Sequence, residues 1–313
     1  MAVSELGSRL KRQVRLMIRN RYMYLMLLPV VIYFAVMKYW PMYYLRMAFY
    51  DYKMLRGFEG SKFIGLKNFQ QFIGGLQFER VIFNTVILNV LSLFLMFPLC
   101  IALALMLNEV RNQAFKRVVQ TLTYMPHFIS TVILVSMITS VVSPSTGLLG
   151  YIAKLFGMKP YYFLGDPNWF RPINVISGIW QTTGWNSIVF LASISSIDPS
   201  LYEAATVDGA GRLRRIWHVT LPGIRNTILI LLILRIGNML GSNFEKVYLL
   251  QNDLNLSVSE TLSTYVYKMG MTKSKYGFST AVGLFESIVS LILVVAANIA
   301  SKKLSNDDEV GIM

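Results

Sequence analysis

The chain has 313 residues, 54% of them hydrophobic and 15% charged, with a formal net charge of +14. Soluble proteins carry about 25% charged residues, so this scarcity of charge, with long apolar runs, excludes an ordinary soluble domain and points to an integral membrane protein. The positive balance does not point to nucleic acid, because the lysines and arginines lie between apolar runs instead of in one soluble domain; anionic headgroups and the cytoplasmic bias of basic loops account for it.

Residues 1–21 read as a basic N-terminal interfacial segment. SRLKRQVRLMIRNRY carries six Lys/Arg ahead of the first apolar run, which places the N-terminus in the cytoplasm. The run itself is too long for a signal peptide, and no small-residue cleavage pattern follows it. A spanning helix needs about 20 apolar residues. Within a membrane domain over 22–300, six segments qualify: 22–39, 81–107, 120–142, 173–195, 227–242 with its flanks, and 277–299. The expected fold is therefore all-α, with six transmembrane helices, both termini cytoplasmic and a C-terminal tail over 301–313. Cys100 lies inside the second span and reads as a small buried hydrophobe; one cysteine builds neither a disulfide framework nor a metal quartet. The segments 108–119 and 196–226 fall in the cytoplasm, and both are basic, through Arg111, Lys116 and Arg117 in one and Arg212, Arg214, Arg215 and Arg225 in the other.

In the third span Tyr124, His127 and Thr131 share a face, and His127 reads as a group that packs helices together. The stretch SPSTGLLGYIAKLFGMKPYYFLGDPNWFRP is too polar and broken to span, and reads as a structured re-entrant or outward-facing loop. Polar residues inside spans tend to face a pathway or a neighbouring helix. In the fourth span Gly178, Gln181, Thr182 and Trp185 fall at i, i+3, i+4 and i+7; in the fifth, Arg235, Asn238 and Ser242 fall at i, i+3 and i+7. A sugar path along these faces and simple helix–helix hydrogen bonding are both open readings. Arg235 needs a partner at mid-span. Glu286 of the sixth span is the favoured one, and the carboxylate of an acidic sugar is the alternative.

Between the fourth and fifth spans lies EAATVDGAGRLRRIWHVTLP, residues 203–222. Ser200 and Glu203 fit a capping box, Gly209 permits a turn closed to most residues, and Leu213, Ile216, Trp217 and Thr220 line one apolar face of a second helix that Pro222 ends. Such a pair suits either an interfacial anchor or insertion into a groove of a partner.

Here the residues carry a resemblance. Glu203, Ala204, Ala205, Asp208, Gly209, Ala210, Leu221 and Pro222 stand at the spacings of the EAA motif of ABC importer permeases. Ile216 stands where an aromatic is common in that family, with Trp217 beside it. LNEVRNQAFKRVVQTLTYMPHFIS and SKYGFSTAVGLFESIVSLILVVAANIASKKLS look like carbohydrate-uptake permeases of the maltose type, and YLMLLPVVIYFAVMKYWPMYYLRMAFYDYK looks like their polysaccharide and oligosaccharide branch. The resemblance implies a non-catalytic subunit of an importer. It further implies that the 203–222 loop is a coupling helix docked in a cytoplasmic ATPase, present in two copies that bind ATP and Mg, while this chain binds no cofactor. A second, homologous permease and an extracellular solute-binding protein are the other implied partners, in the cell membrane. In maltose-type permeases the sugar lies between the helices flanking this loop. Trp185, 18 residues before Glu203, and Asn238, 16 after Pro222, look close to that position.

A secondary carrier is the alternative. It favours internal repeats and paired intramembrane acids, and a membrane enzyme needs a clustered nucleophile, base or metal set; none of these is visible in the sequence.

Overall fold

The computed structural model describes residues 19–241 and 243–305. Most of the basic 1–21 segment, Ser242 and the tail beyond Ser305 lie outside the described residues. The helices that matter below are α1 (Arg21–Phe34), α2 (Lys67–Ile73), α3 (Phe78–Glu109), α4 (Gln113–Tyr124), α5 (Thr131–Val142), α6 (Leu148–Leu155), α7 (Pro167–Ser195), α8 (Pro199–Val207), α9 (Arg212–Arg215), α10 (Arg225–Gly237), α11 (Phe244–Leu250), α12 (Leu256–Ser259), α13 (Leu262–Tyr267) and α14 (Tyr276–Ser305).

The chain is not wholly helical. Strands β1 (Tyr50–Lys53) and β2 (Gly57–Phe63) pair antiparallel, with Tyr50 opposite Phe63 and Asp51 opposite Lys62. Aromatics favour the pleated surface: Tyr50 and Tyr52 both pack on Phe58, and Tyr50 also meets Phe63. Gly57 supplies a φ of 62° at the turn.

Three helical stretches are long and apolar enough to cross a membrane, namely Arg21–Phe49, Phe78–Glu109 and Tyr276–Lys303. Two bent pairs raise the number to at most five among the described residues. The expected third span is one of them: Gln113–Phe128 and Thr131–Val142 meet at 98°. Pro126 withholds a backbone donor, and the Ser130 hydroxyl accepts from the Ile133 N–H to start a new helix, so Thr131 does not continue the face of Tyr124 and His127. The expected fifth span is the other, with Arg212–Gly223 and Arg225–Gly237 bent by 61°. The fourth expected span lies within α7, whose 29 residues extend about 44 Å. It starts at Pro167, six residues before Ile173, because the Asp166 carboxylate caps the Asn168 N–H. Gln181, Thr182, Thr183 and Asn186 make it too polar to count as apolar.

α3 threads three buried clusters. Val81 packs with Phe72, Leu262, Tyr265 and Val282; Leu88 packs with Val135, Phe170 and Val247; Met96, Cys100 and Ala104 pack with Phe190, Ile194 and Ile224. Cys100 is buried and free, as the sequence leads one to expect. Polar groups near the start of α3 fasten the segment after α11. Asn84 donates to the carbonyls of Ser257 and Glu260 and accepts from Arg171, while the Thr85 hydroxyl accepts from the Leu262 N–H. Glu260 is buried but paired, with Arg80 at 2.6 Å and Lys268 at 3.8 Å.

α10 and α14 run antiparallel. A Cβ on Gly237 would meet Val294, whereas one on Gly241 would meet Glu286. The 225 end of α10 therefore lies beside the 305 end of α14, and Tyr276 lies at the opposite end of a helix about 45 Å long.

Candidate functional site

The loop after α7 is a compact hairpin of two helices. Asp198, not Ser200, caps α8: its carboxylate accepts the Ser200 N–H at 2.9 Å, and Pro199 occupies the first helical position, where no donor is needed. The cap holds the Asp198 carboxyl below the usual carboxylate range, through the hydrogen bond from Ser200. The capping box expected of Ser200 and Glu203 is therefore replaced by the single Asp198 cap, and Glu203 is left exposed and outside it.

α8 ends in a Schellman motif. The Ala210 N–H donates to the Ala205 carbonyl at 2.8 Å and the Gly209 N–H to the Thr206 carbonyl at 3.1 Å, with Gly209 at φ 74° and Asp208 as C-cap. Past it, α9 continues into a π-turn over Ile216–Thr220. Pro222 withdraws the donor that the His218 carbonyl would take in a regular helix, yet the chain stays helical through Gly223 before it bends. Two contacts clamp the halves together: Arg215 donates to the Thr206 hydroxyl at 2.9 Å, and the Tyr202 and Thr220 hydroxyls meet at 3.1 Å.

Burial divides the motif into root and tip. Leu221 packs against the cluster that holds Ile194 and Ile224, and Pro222 is exposed beside it. Glu203, Ala204, Asp208 and Gly209 are exposed at the tip, with Ala205 and Ala210 half-buried. The apolar face expected of the second helix splits. Thr220 is buried and Ile216 half-buried, but Leu213 is 74% and Trp217 66% exposed, and Val207 of α8 is 88% exposed. These three, with Leu201, give the tip an apolar surface that this chain does not cover. Leu201 and Val207 escaped the sequence reading; their exposure shows only in the structure.

A second feature lies deeper. A cavity of about 300 Å³ opens between α3, α7 and α10, with Asn89, Ser92, Asn186, Arg235, Asn238 and Asn243 as its polar lining and Met96, Phe97 and Phe190 among the apolar part. Arg235 is the one charged group in that lining. No ion pair joins it to Glu286 among the described residues, so the expected pair is not formed. Thr182 lies outside that lining; it donates to the sulfur of Met96, which is part of it, and to the Gly178 carbonyl. Gln181 and Trp185 point elsewhere, toward the break between α4 and α5. Gln181 donates to the Ile129 carbonyl at 3.0 Å, and Trp185 stacks on His127 at 4.5 Å with planes 5° apart. Gly178 faces Lys246, whose amine donates to the Asn174 carbonyl at 2.7 Å. Asn89, Ser92 and Asn186 were not singled out from the sequence. Asn89 and Ser92 stand at i and i+3 inside the most apolar of the spans, which is the spacing that marks a shared face.

A helical membrane chain with a capped hairpin of helices after its long polar span has known relatives. Residues 96–306 match the family described as the binding-protein-dependent transport system inner membrane component. The chain belongs to that family. This permease is 45% identical over 289 residues to Protein LplB of Bacillus subtilis (strain 168), covering 92% of this chain and 91% of the relative. It is 46% identical over 297 residues to the polygalacturonan/rhamnogalacturonan transport system permease protein YteP of the same organism, covering 95% and 92%. Among solved structures, a bacterial ABC transporter involved in the import of the acidic polysaccharide alginate superposes with a TM-score of 0.87 at 41% identity, covering 94% of this chain and 99% of that one. The same kind of transporter in complex with an alginate pentasaccharide-bound periplasmic protein gives 0.86 at 40% identity, covering 95% and 99%. Members of the family are non-catalytic permease subunits of the cell membrane, and the ATPase is a separate partner.

Proposed function

We propose that this chain is one of two permease subunits of an ABC importer that carries an oligosaccharide or polysaccharide fragment across the cytoplasmic membrane. The observation that carries the substrate reading is the polar cavity between α3, α7 and α10: amides, a hydroxyl and a guanidinium inside spans are costly unless hydrogen-bonded or facing a water-filled pathway, and these line an open space. The named substrates of YteP and of the alginate importer support a glycan, and an acidic one. Arg235, Asn238, Thr182 and Ser242 would lie along the path, with Gln181 and Trp185 shaping the helix break beside it.

In this reading the chain crosses the membrane six times with both termini and residues 196–226 in the cytoplasm. The tip of the hairpin docks into the ATPase. Leu213, Trp217 and Val207 fill its groove, Glu203 offers a carboxylate, and the Ala205–Ala210 cap fixes the angle between the two helices. Two ATPase copies hold ATP and Mg, and a solute-binding protein delivers the glycan. The test is reconstitution with the partner permease, ATPase and binding protein in proteoliposomes. ATP-dependent uptake of labelled oligogalacturonate is expected. Uptake that needs an ion gradient and ignores ATP would turn the reading to a secondary carrier.

A further inference from the structure

The β-hairpin and the start of α14 enclose a second, larger cleft of about 970 Å³. Its lining brings together four cations, Lys53, Arg56, Lys273 and Lys275, and a single acid, Asp51, which pairs with Lys53 at 3.9 Å. Tyr50, Tyr52, Tyr276 and Gln71 line the same space. The walls are fixed. Asn68 donates to the carbonyls of Ala48 and Tyr50, and α14 approaches so closely that a Cβ on Gly277 would lie 2.3 Å from the Tyr50 carbonyl oxygen. The loop carrying the two lysines is held as well: the Lys273 N–H donates to Lys268 and the Lys275 N–H to Met269, and Ser274 between them sits at φ 52°. A non-glycine residue in the left-handed region is uncommon and persists where the surroundings demand it. Here it reverses the chain between two lysines, both exposed.

We infer that this cleft is a binding site for an acidic glycan chain, a receiving station on the outer face ahead of the transport cavity. The inference rests on the proposed importer reading, which places the hairpin loop of 196–226 in the cytoplasm. The cleft then faces outward, since it lies at the other end of α14. The chemistry selects the ligand class. Ammonium and guanidinium groups meet uronate carboxylates, tyrosine faces and edges meet sugar rings, and an amide serves hydroxyls. The volume is in the range of about 300–1,000 Å³ that small-ligand clefts occupy, whereas protein partners meet broader, flatter patches. Weak, screened binding by solvent-exposed lysines suits a site that must release its ligand onward.

The experiment uses the complete complex, with partner permease and ATPase, in nanodiscs of phosphatidylcholine. The probe is fluorescent hexagalacturonate, compared with its neutral methyl ester. Saturable binding is expected without binding protein or ATP. It should weaken about tenfold for the methyl ester and for the Lys273→Gln/Lys275→Gln double variant, as expected when a local field is removed. Lys273→Arg/Lys275→Arg should restore it, and Arg235→Gln in the transport cavity should leave it in place. Because the two lysines are exposed, assembly should be unaffected, which co-purification of the ATPase verifies. Equal binding of acid and ester, or unchanged binding in the Gln variant, overturns the inference. So does a defect that appears only when the binding protein is present, which makes the cleft a protein contact, or one confined to nanodiscs of anionic lipid, which makes it a headgroup site. Wild-type uptake without cleft binding refutes the cleft alone; absence of any ATP-driven glycan uptake refutes the importer reading instead.

Discussion

Replacement of Gly209 by alanine isolates the backbone geometry of the coupling hairpin from its contacts. Gly209 sits at φ 74°, and a Cβ there would meet nothing within 4 Å, so no neighbour is crowded and the cost is purely conformational. An L-residue held in the left-handed region costs roughly 1–2 kcal/mol. That energy opposes the two hydrogen bonds that close α8, from Ala210 to Ala205 and from Gly209 to Thr206. The closed cap should become about 5- to 30-fold less populated relative to frayed forms. If the ATPase binds only the closed hairpin, its apparent affinity should fall by the same factor wherever fraying dominates. Asparagine tolerates the left-handed region far better, so Gly209→Asn should recover most of the loss although its side chain is larger. The assay titrates purified ATPase against the detergent-solubilised permease pair, with uptake in proteoliposomes measured in parallel. Wild-type affinity in Gly209→Ala, or an asparagine variant as poor as alanine at normal expression, would refute the backbone argument.

Other outcomes follow from the same geometry. Asp198→Ala should speed hydrogen exchange at the first amides of α8, whereas Ser200→Ala should not, because Asp198 is the cap. Since its folded carboxyl is depressed, the cap's contribution is complete above the unfolded value of about 3.9 and is lost as pH falls through the folded value; Asp198→Asn should remove that acid dependence. Glu203→Ala should weaken ATPase binding with α8 exchange unchanged, and a matching rise in exchange would assign Glu203 a structural role instead. Gly184→Ala should lower the melting temperature of the purified permease, since a Cβ there would lie 2.0 Å from the Thr123 carbonyl oxygen and overpacking costs about 1–3 kcal/mol. Arg235→Gln should reduce uptake of oligogalacturonate more than of its methyl ester while Glu286→Gln has little effect; non-additive effects of the two changes would revive an ion pair between them.

The 203–222 loop was legible because its signals are local. Gly209 names a left-handed turn, and Glu203-Ala204-Ala205, Asp208-Gly209-Ala210 and Leu221-Pro222 at their spacings carry the family resemblance. The cap was misplaced for a related reason. Asp198 and Ser200 are both good N-caps, and only the position of Pro199 decides between them, since proline fits the first helical position. The break of the third span was hidden by its own apolarity. Hydropathy sums over Pro126 and Ser130, yet those two residues carry the stop and start chemistry. Arg235 and Glu286 looked like partners because both are charges in a span, but helix rotation is set by packing, and it turns Arg235 into the cavity and Glu286 toward Gly241. The strands have only a faint local signal, Tyr50, Tyr52 and Phe58 around Gly57, and no local pattern announces the approach of the Tyr50 backbone to Gly277, more than 200 residues away.

The first helix has a different significance. α1 buries no side chain within this chain and is tied to the rest through the turn at Tyr43–Phe49, where Ala48 is buried. No neighbour in the subunit reads the shape of Leu25, Met26, Val30 or Ile32; only hydrocarbon, or another subunit, can do so. Lipid discriminates poorly between leucine, isoleucine, valine and methionine. Toward the rest of this subunit the segment is thus free to drift in sequence as long as it stays apolar and long enough. Composition alone is constrained there, whereas at Gly277 and Gly184 a single added carbon would collide with neighbouring backbone.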